Sequence, residues 1–288
     1  SHPAVAEIVA TVLDLDVAVG RDDSFFLLGG NSLLATQVAS RLGSTRGVRV
    51  PVRALFEHPT VAALAAHVDG LAESAGPALE ARPRPDRIPL SSAQQRLWFL
   101  NRFDRSSGAY NVPFAVRLTG PLDIAALAAA LGDLVERHEV LRTVYPDSPE
   151  GPHQVILPAQ DVPVALEPVV TEHSEVTAAI VTSAARGFDV TTQAPIRVDL
   201  LEVTAGHEHV LVVTLHHIAA DGWSLAPLAA DLLTAYTARS TGTAPETEPL
   251  PVQYADYTLW QRDRLGSEDD SSSLISTQLA YWTAALTG

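Results

Sequence analysis

The sequence predicts two folded domains: a small all-α unit, and after it a larger α/β domain in which helices cover a mixed sheet. Apolar residues recur at helical spacing up to about residue 70, whereas strand-like and helix-like segments alternate after about residue 88. Between them, 71–87 is rich in Ala, Pro and charge and shows no apolar period, so we predict a linker there. Because 47% of the 288 residues are hydrophobic, both domains can build a core.

The all-α unit, residues 1–70, contains three apolar stripes at helical spacing. Val5 and Val12 belong to the first stripe, and Leu34 and Val38 belong to the second. Thr60 has the character of an N-cap before the third stripe. Loops rich in Asp, Gly and Arg separate the stripes. These features predict a bundle of helices.

The second domain, residues 88–288, alternates between strands and helices. Its strand-like segments carry β-branched residues and alternate in polarity; they are 112–118, 140–145, 153–157, 196–203 and 209–215. One amphipathic helix begins after Asp123, and another runs from Ser224 to about Tyr236. Strands and helices in this order predict a mixed sheet covered by helices.

Composition excludes several classes of function. The net charge of −15 argues against nucleic acid or an anionic membrane as partner, because such binders need clustered Lys and Arg. The absence of cysteine excludes thiolate metal sites and a catalytic Cys. No apolar run is long enough to span a membrane and no signal peptide is visible, so we expect a cytoplasmic protein. Because the sequence has no Met and opens at Ser1, we expect a segment of a longer reading frame.

Ser32 stands out in the first unit because two glycines and Asn31 precede it at the start of the second stripe. Glycines leave a serine uncrowded, and a helix N-terminus favours an anion through its free N–H groups and its dipole. This placement suits a phosphodiester on Ser32. By residue type alone an N-cap serine is the favoured interpretation. A nucleophile elbow is not matched, because no glycine lies two residues after the serine.

The run LGGNSL at 28–33, within a helical unit of this length, resembles the signature of carrier-protein domains. The resemblance implies a four-helix carrier domain whose serine, here Ser32, receives 4′-phosphopantetheine from coenzyme A through a phosphopantetheinyl transferase. The sequence departs from the family at Leu27, where Asp is usual.

A histidine pair, His216 and His217, follows a buried strand-like segment and precedes a short turn with Asp221 and Gly222. The two side chains should point to opposite sides of the strand, so they are poorly placed to share a metal ion, and we predict no metal site. The same alternation indicates that one ring faces the core as a support and the other faces a cleft.

The segment HHIAADG at 216–222 resembles the HHxxxDG motif of condensation domains and of chloramphenicol-acetyltransferase-like acyltransferases. SSAQQRLWFL at 91–100, RHEVLRT at 137–143 and YADYTLW at 254–260 resemble the family's first, second and fourth motifs in the same order. The resemblance implies that His217 faces the reaction centre, that Asp221 pairs with Arg142, and that His216 and Gly222 are structural. It also implies a two-lobed domain, of which 88–288 is the N-terminal lobe.

The reaction implied is non-ribosomal peptide synthesis. The acyl group held as a thioester on Ser32 would be the donor, and the amine of a downstream aminoacyl thioester would attack its carbonyl to form an amide. An adenylation domain, an acceptor carrier domain and the missing C-terminal lobe are the implied partners. A linker of about seventeen residues spans ~23 Å as a coil and ~50 Å when extended, which allows the carrier to move.

Three alternatives remain open from the sequence. The chain by itself could be only a carrier and scaffold, because one lobe cannot enclose the reaction. A stand-alone acyltransferase fused to an acyl carrier would instead use a free amine or alcohol acceptor. The residues after the histidine pair resemble condensation domains that accept D-configured donors, but no epimerisation domain intervenes, so the stereochemical subtype is left open.

Overall fold

A computed structural model describes residues 2–48, 50–71, 78–204 and 208–287. Its contacts divide the chain into two units, Ser1–Pro77 and Ala78–Gly288. The boundary between them falls inside the segment predicted as a linker, of which residues 72–77 lie outside the described part of the chain. Each unit has its own hydrophobic core.

The described part of the first unit contains four α-helices, as the resemblance implied. They are α1 (His2–Leu13), α2 (Ser32–Arg46), α3 (Arg53–Glu57) and α4 (Val61–Gly70). The predicted stripes point inward, and Val5, Val38 and Leu64 are each at most 2% exposed. Thr60 caps α4 as predicted, because its hydroxyl accepts a hydrogen bond from the Ala63 N–H at 3.2 Å.

The second unit is built on a mixed sheet of four strands. The strands are β1 (Asn111–Thr119), β4 (Val169–Thr171), β5 (Ile196–Val203) and β6 (Glu208–His216), in the order β1-β6-β5-β4. The β4 and β5 strands are parallel, and the other pairs are antiparallel. A separate ribbon pairs β2 (Thr143–Val144) with β3 (Val155–Ile156).

Helices cover both faces of the sheet, which confirms the predicted architecture. The helices of this unit are α5 (Ser92–Phe103), α6 (Ile124–Arg137), α7 (Val176–Ala185), α8 (Leu225–Ser240), α9 (Tyr254–Leu265) and α10 (Leu274–Leu286). Leu200 and Leu211 pack into one cluster with α6 and α8. Leu201 and Val210, one residue along each strand, pack with α7 on the other face.

The prediction of a strand over 140–145 is largely wrong. Glu139–Arg142 forms a 3-10 turn, and only Thr143–Val144 pairs as a strand. The turn is held in place because the Arg142 side chain donates to the carbonyls of Val135 and Leu157. Tertiary hydrogen bonds here override the local strand preference of the sequence.

The last part of the predicted linker contacts the second unit. Arg82, Arg84 and Arg87 each form an ion pair with a carboxylate of the second unit. Residues 78–87 therefore belong to that unit. No helix in the described ranges is both long and apolar enough to cross a bilayer.

Candidate functional site

Asn31, rather than Ser32, caps the second helix. Its backbone is extended, with φ −130° and ψ 177°, and its side-chain oxygen accepts from the N–H groups of Leu33 and Leu34 at 3.0 Å each. Ser32 is therefore the first helical residue, and the N-cap alternative for Ser32 is wrong. The expectation of free N–H groups for a phosphate is also corrected, because Asn31 already uses two of them. The helix dipole remains.

The loop before Ser32 depends on glycine at position 30. A Cβ on Gly30 would lie 2.4 Å from the Phe25 ring, which is itself only 2% exposed. The loop is closed by a hydrogen bond from the Gly30 N–H to the Phe25 carbonyl at 3.0 Å. This close approach brings the loop down onto the core and leaves Ser32 at its edge.

Ser32 fits the attachment of a large prosthetic group. Its side chain is exposed, and its hydroxyl forms no hydrogen bond within the described residues. Leu33 beside it is 52% exposed, and Leu27 in the preceding loop is 90% exposed. An unengaged hydroxyl at the surface has the access that phosphopantetheine attachment requires.

The two histidines lie in different environments, as the alternation of a strand predicts. His216 ends β6 and is 1% exposed. The next residue, His217, is exposed, and its backbone N–H donates to the Tyr110 carbonyl at 2.8 Å. This bond continues the β1–β6 pairing one residue past the strand and fixes the backbone from which the His217 ring projects.

Burial keeps His216 neutral. Removal from water, with a smaller contribution from His217, lowers the pKa of His216 to about 4. Its Nδ1 accepts a hydrogen bond from the Ile218 N–H at 3.1 Å, which places the ring proton on Nε2. The Phe188 ring stands edge-on at 6.0 Å. His216 thus supports the turn and adds no charge beside His217.

His217 lies in an open cavity of about 300 Å³. The side chains that bring polar groups to this cavity are Arg96, Tyr110, His217, Asp221, Ser224 and Tyr254. The Tyr254 hydroxyl lies 3.0 Å from the Ser91 hydroxyl, and burial is the main reason that its pKa is raised. The cavity therefore combines one imidazole with phenol, hydroxyl, carboxylate and guanidinium groups.

Sequence reasoning missed four of these lining residues, which are Arg96, Tyr110, Ser224 and Tyr254. Ser224 was predicted only as the start of a helix. Arg96 and Tyr254 stand in the first and fourth motifs, so the motifs carried a signal for them. Tyr110 lies outside every motif and reaches the cavity because β1 pairs with β6. No sequence pattern near Tyr110 marks it.

Asp221 organises the turn after the histidines. Its carboxylate accepts hydrogen bonds from the N–H groups of Trp223 and Ser224 at 3.0 and 3.1 Å, and from the Ser224 hydroxyl at 2.9 Å. Gly222 lies within this turn, where an added Cβ would meet nothing within 4 Å. The turn is thus held by Asp221, and no steric contact in this unit requires a glycine at position 222.

The expected pair between Asp221 and Arg142 is not formed in the described part of the chain. Arg142 donates to the carbonyl oxygens of Val135 at 3.2 Å and Leu157 at 2.5 Å instead. These carbonyls flank the 3-10 turn, so Arg142 closes that turn rather than the histidine turn. The structure thus groups His216, His217, Asp221 and Gly222, and places Arg142 apart from them.

Comparison with known proteins agrees with both units. Residues 3–68 match the family model described as a phosphopantetheine attachment site, and residues 85–288 match the condensation domain model. A dimodular nonribosomal peptide synthase of Bacillus subtilis is 48% identical over 98% of this chain, which spans 12% of that protein. The isonitrile lipopeptide synthase of Mycobacterium tuberculosis is 44% identical over 94% of the chain, and 11% of that protein is covered. The chain thus spans about a tenth of these relatives.

Solved structures also resemble this chain. The X-domain from teicoplanin biosynthesis, also solved in a complex with OxyB, is 42% identical with a TM-score of 0.68. That match covers 74% of this chain and 46% of the X-domain chain. The first condensation domain of the CDA synthetase, with a TM-score of 0.56 over 71% of this chain and 51% of that chain, is 22% identical and supports the fold alone. This chain belongs to the condensation domain family and carries a phosphopantetheine attachment domain ahead of its condensation domain.

Proposed function

We propose that this chain serves non-ribosomal peptide synthesis, with Ser32 carrying the donor acyl group and His217 facing the acceptor amine as the donor thioester is converted to an amide. The observation that supports this most is the separation of the two rings: His216 is buried and neutral, while His217 is exposed in a cavity. One ring supports the turn and the other is available to a substrate.

When it is bound, the prosthetic group supplies a thiol, which holds the acyl group as an activated thioester. Ser32 is the residue that we assign to hold it, since its hydroxyl is exposed and unengaged in the described structure. Asn31 fixes the start of α2 and so keeps that hydroxyl at the helix N-terminus. The capped start of α2 thus gives the prosthetic group a defined attachment point.

The role that we assign to His217 follows from the free energies that the reaction requires. An α-amine has a pKa of about 8, so supplying its neutral form at pH 7 costs only ~1.4 kcal/mol. Holding the reactants in line contributes roughly 7–11 kcal/mol, whereas a positioned base adds about 10²- to 10⁴-fold in rate. We therefore assign His217 to orient the amine and to accept its proton as the C–N bond of the amide forms and the C–S bond of the thioester breaks. Asp221 and Arg142 act as structural supports of two separate turns.

The partners proposed for the working protein follow from this chemistry. A phosphopantetheinyl transferase with coenzyme A would modify Ser32, and an adenylation domain would load it. A downstream acceptor carrier domain and a second lobe of the condensation domain would complete the site, since this chain covers about half of the condensation-type structures that resemble it. We place this synthesis in the cytoplasm, and we propose no role for nucleic acid or a membrane.

The test is the transfer rate of an intact synthetase that contains this segment. We expect His217→Ala to lower single-turnover amide formation by about 10²- to 10⁴-fold, with the donor still loaded on Ser32. His173→Ala is a matched control, because His173 is an exposed histidine of the same unit that does not line the cavity. An unchanged single-turnover rate in His217→Ala would show that the role assigned to His217 is wrong.

A second candidate function is a carrier and scaffold without catalysis in this chain. It is supported by the 42% identity to an X-domain that was solved in a complex with OxyB, and by the partial coverage of that domain. We expect this chain alone, mixed with loaded donor and acceptor carriers, to form no amide. Turnover by the isolated chain would favour a complete enzyme, and transfer to a free amine or alcohol would favour another carrier-fused acyltransferase.

A further inference from the structure

The last residues of the predicted linker are fixed on the condensation unit. Arg82 donates to Asp263 at 2.6 Å, and Arg84 forms ion pairs with Glu139 and Asp256. Arg87 pairs with Glu150 at 3.3 Å. We call residues 82–87 the strap. The Arg84 pairs differ from the others because they involve a carboxylate that is almost fully buried.

Arg84 binds two carboxylates at once. Its Nε and Nη2 donate to the two oxygens of Asp256 at 2.9 and 3.0 Å, and its Nη1 donates to Glu139 at 2.7 Å. The Asp256 side chain is 2% exposed and that of Glu139 is 22% exposed. A two-point contact with a planar carboxylate fixes both partners in orientation, which a surface ion pair does not.

Asp256 in turn fixes the start of α9. Besides Arg84, it accepts the Gln253 N–H at 2.8 Å, which caps this helix. The Gln253 side chain donates to the Arg137 carbonyl and accepts from the Glu139 N–H. Burial alone would raise the pKa of Asp256, but the hydrogen bonds from Arg84 and Gln253 outweigh it and the pKa is lowered. Arg84 therefore keeps a buried charge compensated at a helix N-terminus.

The first residue of α9 is Tyr254, which lines the cavity of His217. Its hydroxyl lies 3.0 Å from the Ser91 hydroxyl, and Ser91 is 0% exposed. Two contacts thus hold Tyr254 at the cavity wall. Its hydroxyl lies beside that of Ser91, and its backbone belongs to the capped start of α9.

We propose that Arg84 is a positioning residue of the condensation unit. Acting through Asp256, it fixes the start of α9 and with it Tyr254 at the wall of the His217 cavity, so the strap is part of the reaction domain rather than of the tether to the carrier. This inference rests on the proposed function, because it assigns Arg84 to the same cavity.

One test needs no activity. Hydrogen exchange at the first amides of α9 should become faster in Arg84→Ala of this chain, because the capping carboxylate loses its counter-charge. Arg82→Ala is the matched control, since its ion pair lies in the same strap but on an exposed Asp263. Equal hydrogen-exchange rates at the first amides of α9 in Arg84→Ala and Arg82→Ala would overturn the proposal. If Arg84→Ala does not fold, Arg84→Lys, which keeps the charge and loses the two-point contact, decides in the same way.

The second test is amide formation by the intact synthetase. Misplacement of the cavity wall should reduce kcat/KM for a soluble aminoacyl thioester acceptor by about 10- to 100-fold in Arg84→Ala, with partial recovery in Arg84→Lys and no loss in Arg82→Ala. In an Asp256→Asn background, adding Arg84→Ala should lower the rate no further. A folded Arg84→Ala with the kcat/KM of the unmutated enzyme would overturn the proposal.

His217→Ala in the same assay separates this inference from the proposed function. Loss of rate in His217→Ala with normal rates in Arg84→Ala means that only the role of Arg84 is wrong. Normal rates in His217→Ala mean that the proposed function of the cavity is wrong, and the exchange result at α9 then decides the structural link from Arg84 to the helix by itself.

Discussion

The adjacent residues His216 and His217 differ in accessibility, because the His216 ring is buried and the His217 ring is exposed. His216 is buried, accepts from a backbone N–H and lies beside the Phe188 ring, while His217 faces an open cavity. The buried ring has a measurable consequence for stability. Its pKa of about 4 lies below the value of about 6.5 expected in the unfolded chain.

We therefore predict that the second unit loses stability as pH falls. The unfolded state binds the proton first, so the contribution of His216 is fully present above pH 6.5 and is lost as the pH falls towards 4. Between pH 7 and pH 5 the loss amounts to about 2 kcal/mol at 1.36 kcal/mol per pKa unit. Urea unfolding followed by tryptophan fluorescence measures it.

The control is His216→Asn, which retains a side chain able to accept from the Ile218 N–H but does not titrate. Comparing the pH dependence of the two proteins removes the contribution of all other groups. The same pH dependence in both would contradict the buried, neutral state of His216.

At the start of helix α2, stability depends on Asn31 and the proposed chemistry depends on Ser32. Asn31 caps the helix with two hydrogen bonds, whereas the Ser32 hydroxyl makes none in the described structure. We predict that Asn31→Ala destabilises the first unit by about 0.5–2 kcal/mol. Ser32→Ala should change its stability by less than about 0.5 kcal/mol, since it is a surface substitution. Circular dichroism during thermal unfolding checks both, and equal destabilisation would contradict the assignment of the cap.

Elements with strong local patterns could be predicted from the sequence. The strands 196–203 and 209–215 alternate and are rich in β-branched residues, and they appear nearly as predicted. The turn at Glu139–Arg142 could not be predicted, because the carbonyls that bind Arg142 come from α6 and from Leu157. The strap was missed for the same reason: its arginines find their carboxylates up to 181 residues away.

The candidate site likewise contains residues that the sequence could predict and residues that it could not. The motifs placed His217 and Asp221 in one turn, because those residues are neighbours in the chain. Tyr110 joins the cavity through strand pairing, and the strap reaches Tyr254 through Asp256. Contacts between distant segments are set by the fold as a whole and leave no local pattern.

At the scale of the molecule, each unit has its own core, so we predict two unfolding transitions. All four tryptophans lie in the second unit, at 98, 223, 260 and 282. Tryptophan fluorescence should therefore report only that unit, while circular dichroism reports both. Asn31→Ala should shift the transition seen by circular dichroism alone, and His216→Asn should shift the fluorescence transition. A single transition common to both probes, shifted by either variant, would contradict independent units.

The proposed reaction requires a donor that is carried by one hydroxyl of the first unit, that of Ser32. The most direct test is the intact mass of this chain after incubation with coenzyme A and a promiscuous phosphopantetheinyl transferase, whose competence is checked on another carrier protein. We predict a gain of one phosphopantetheinyl group on the unmutated chain and none on Ser32→Ala. No gain on the unmutated chain, or the same gain on Ser32→Ala, would contradict the account.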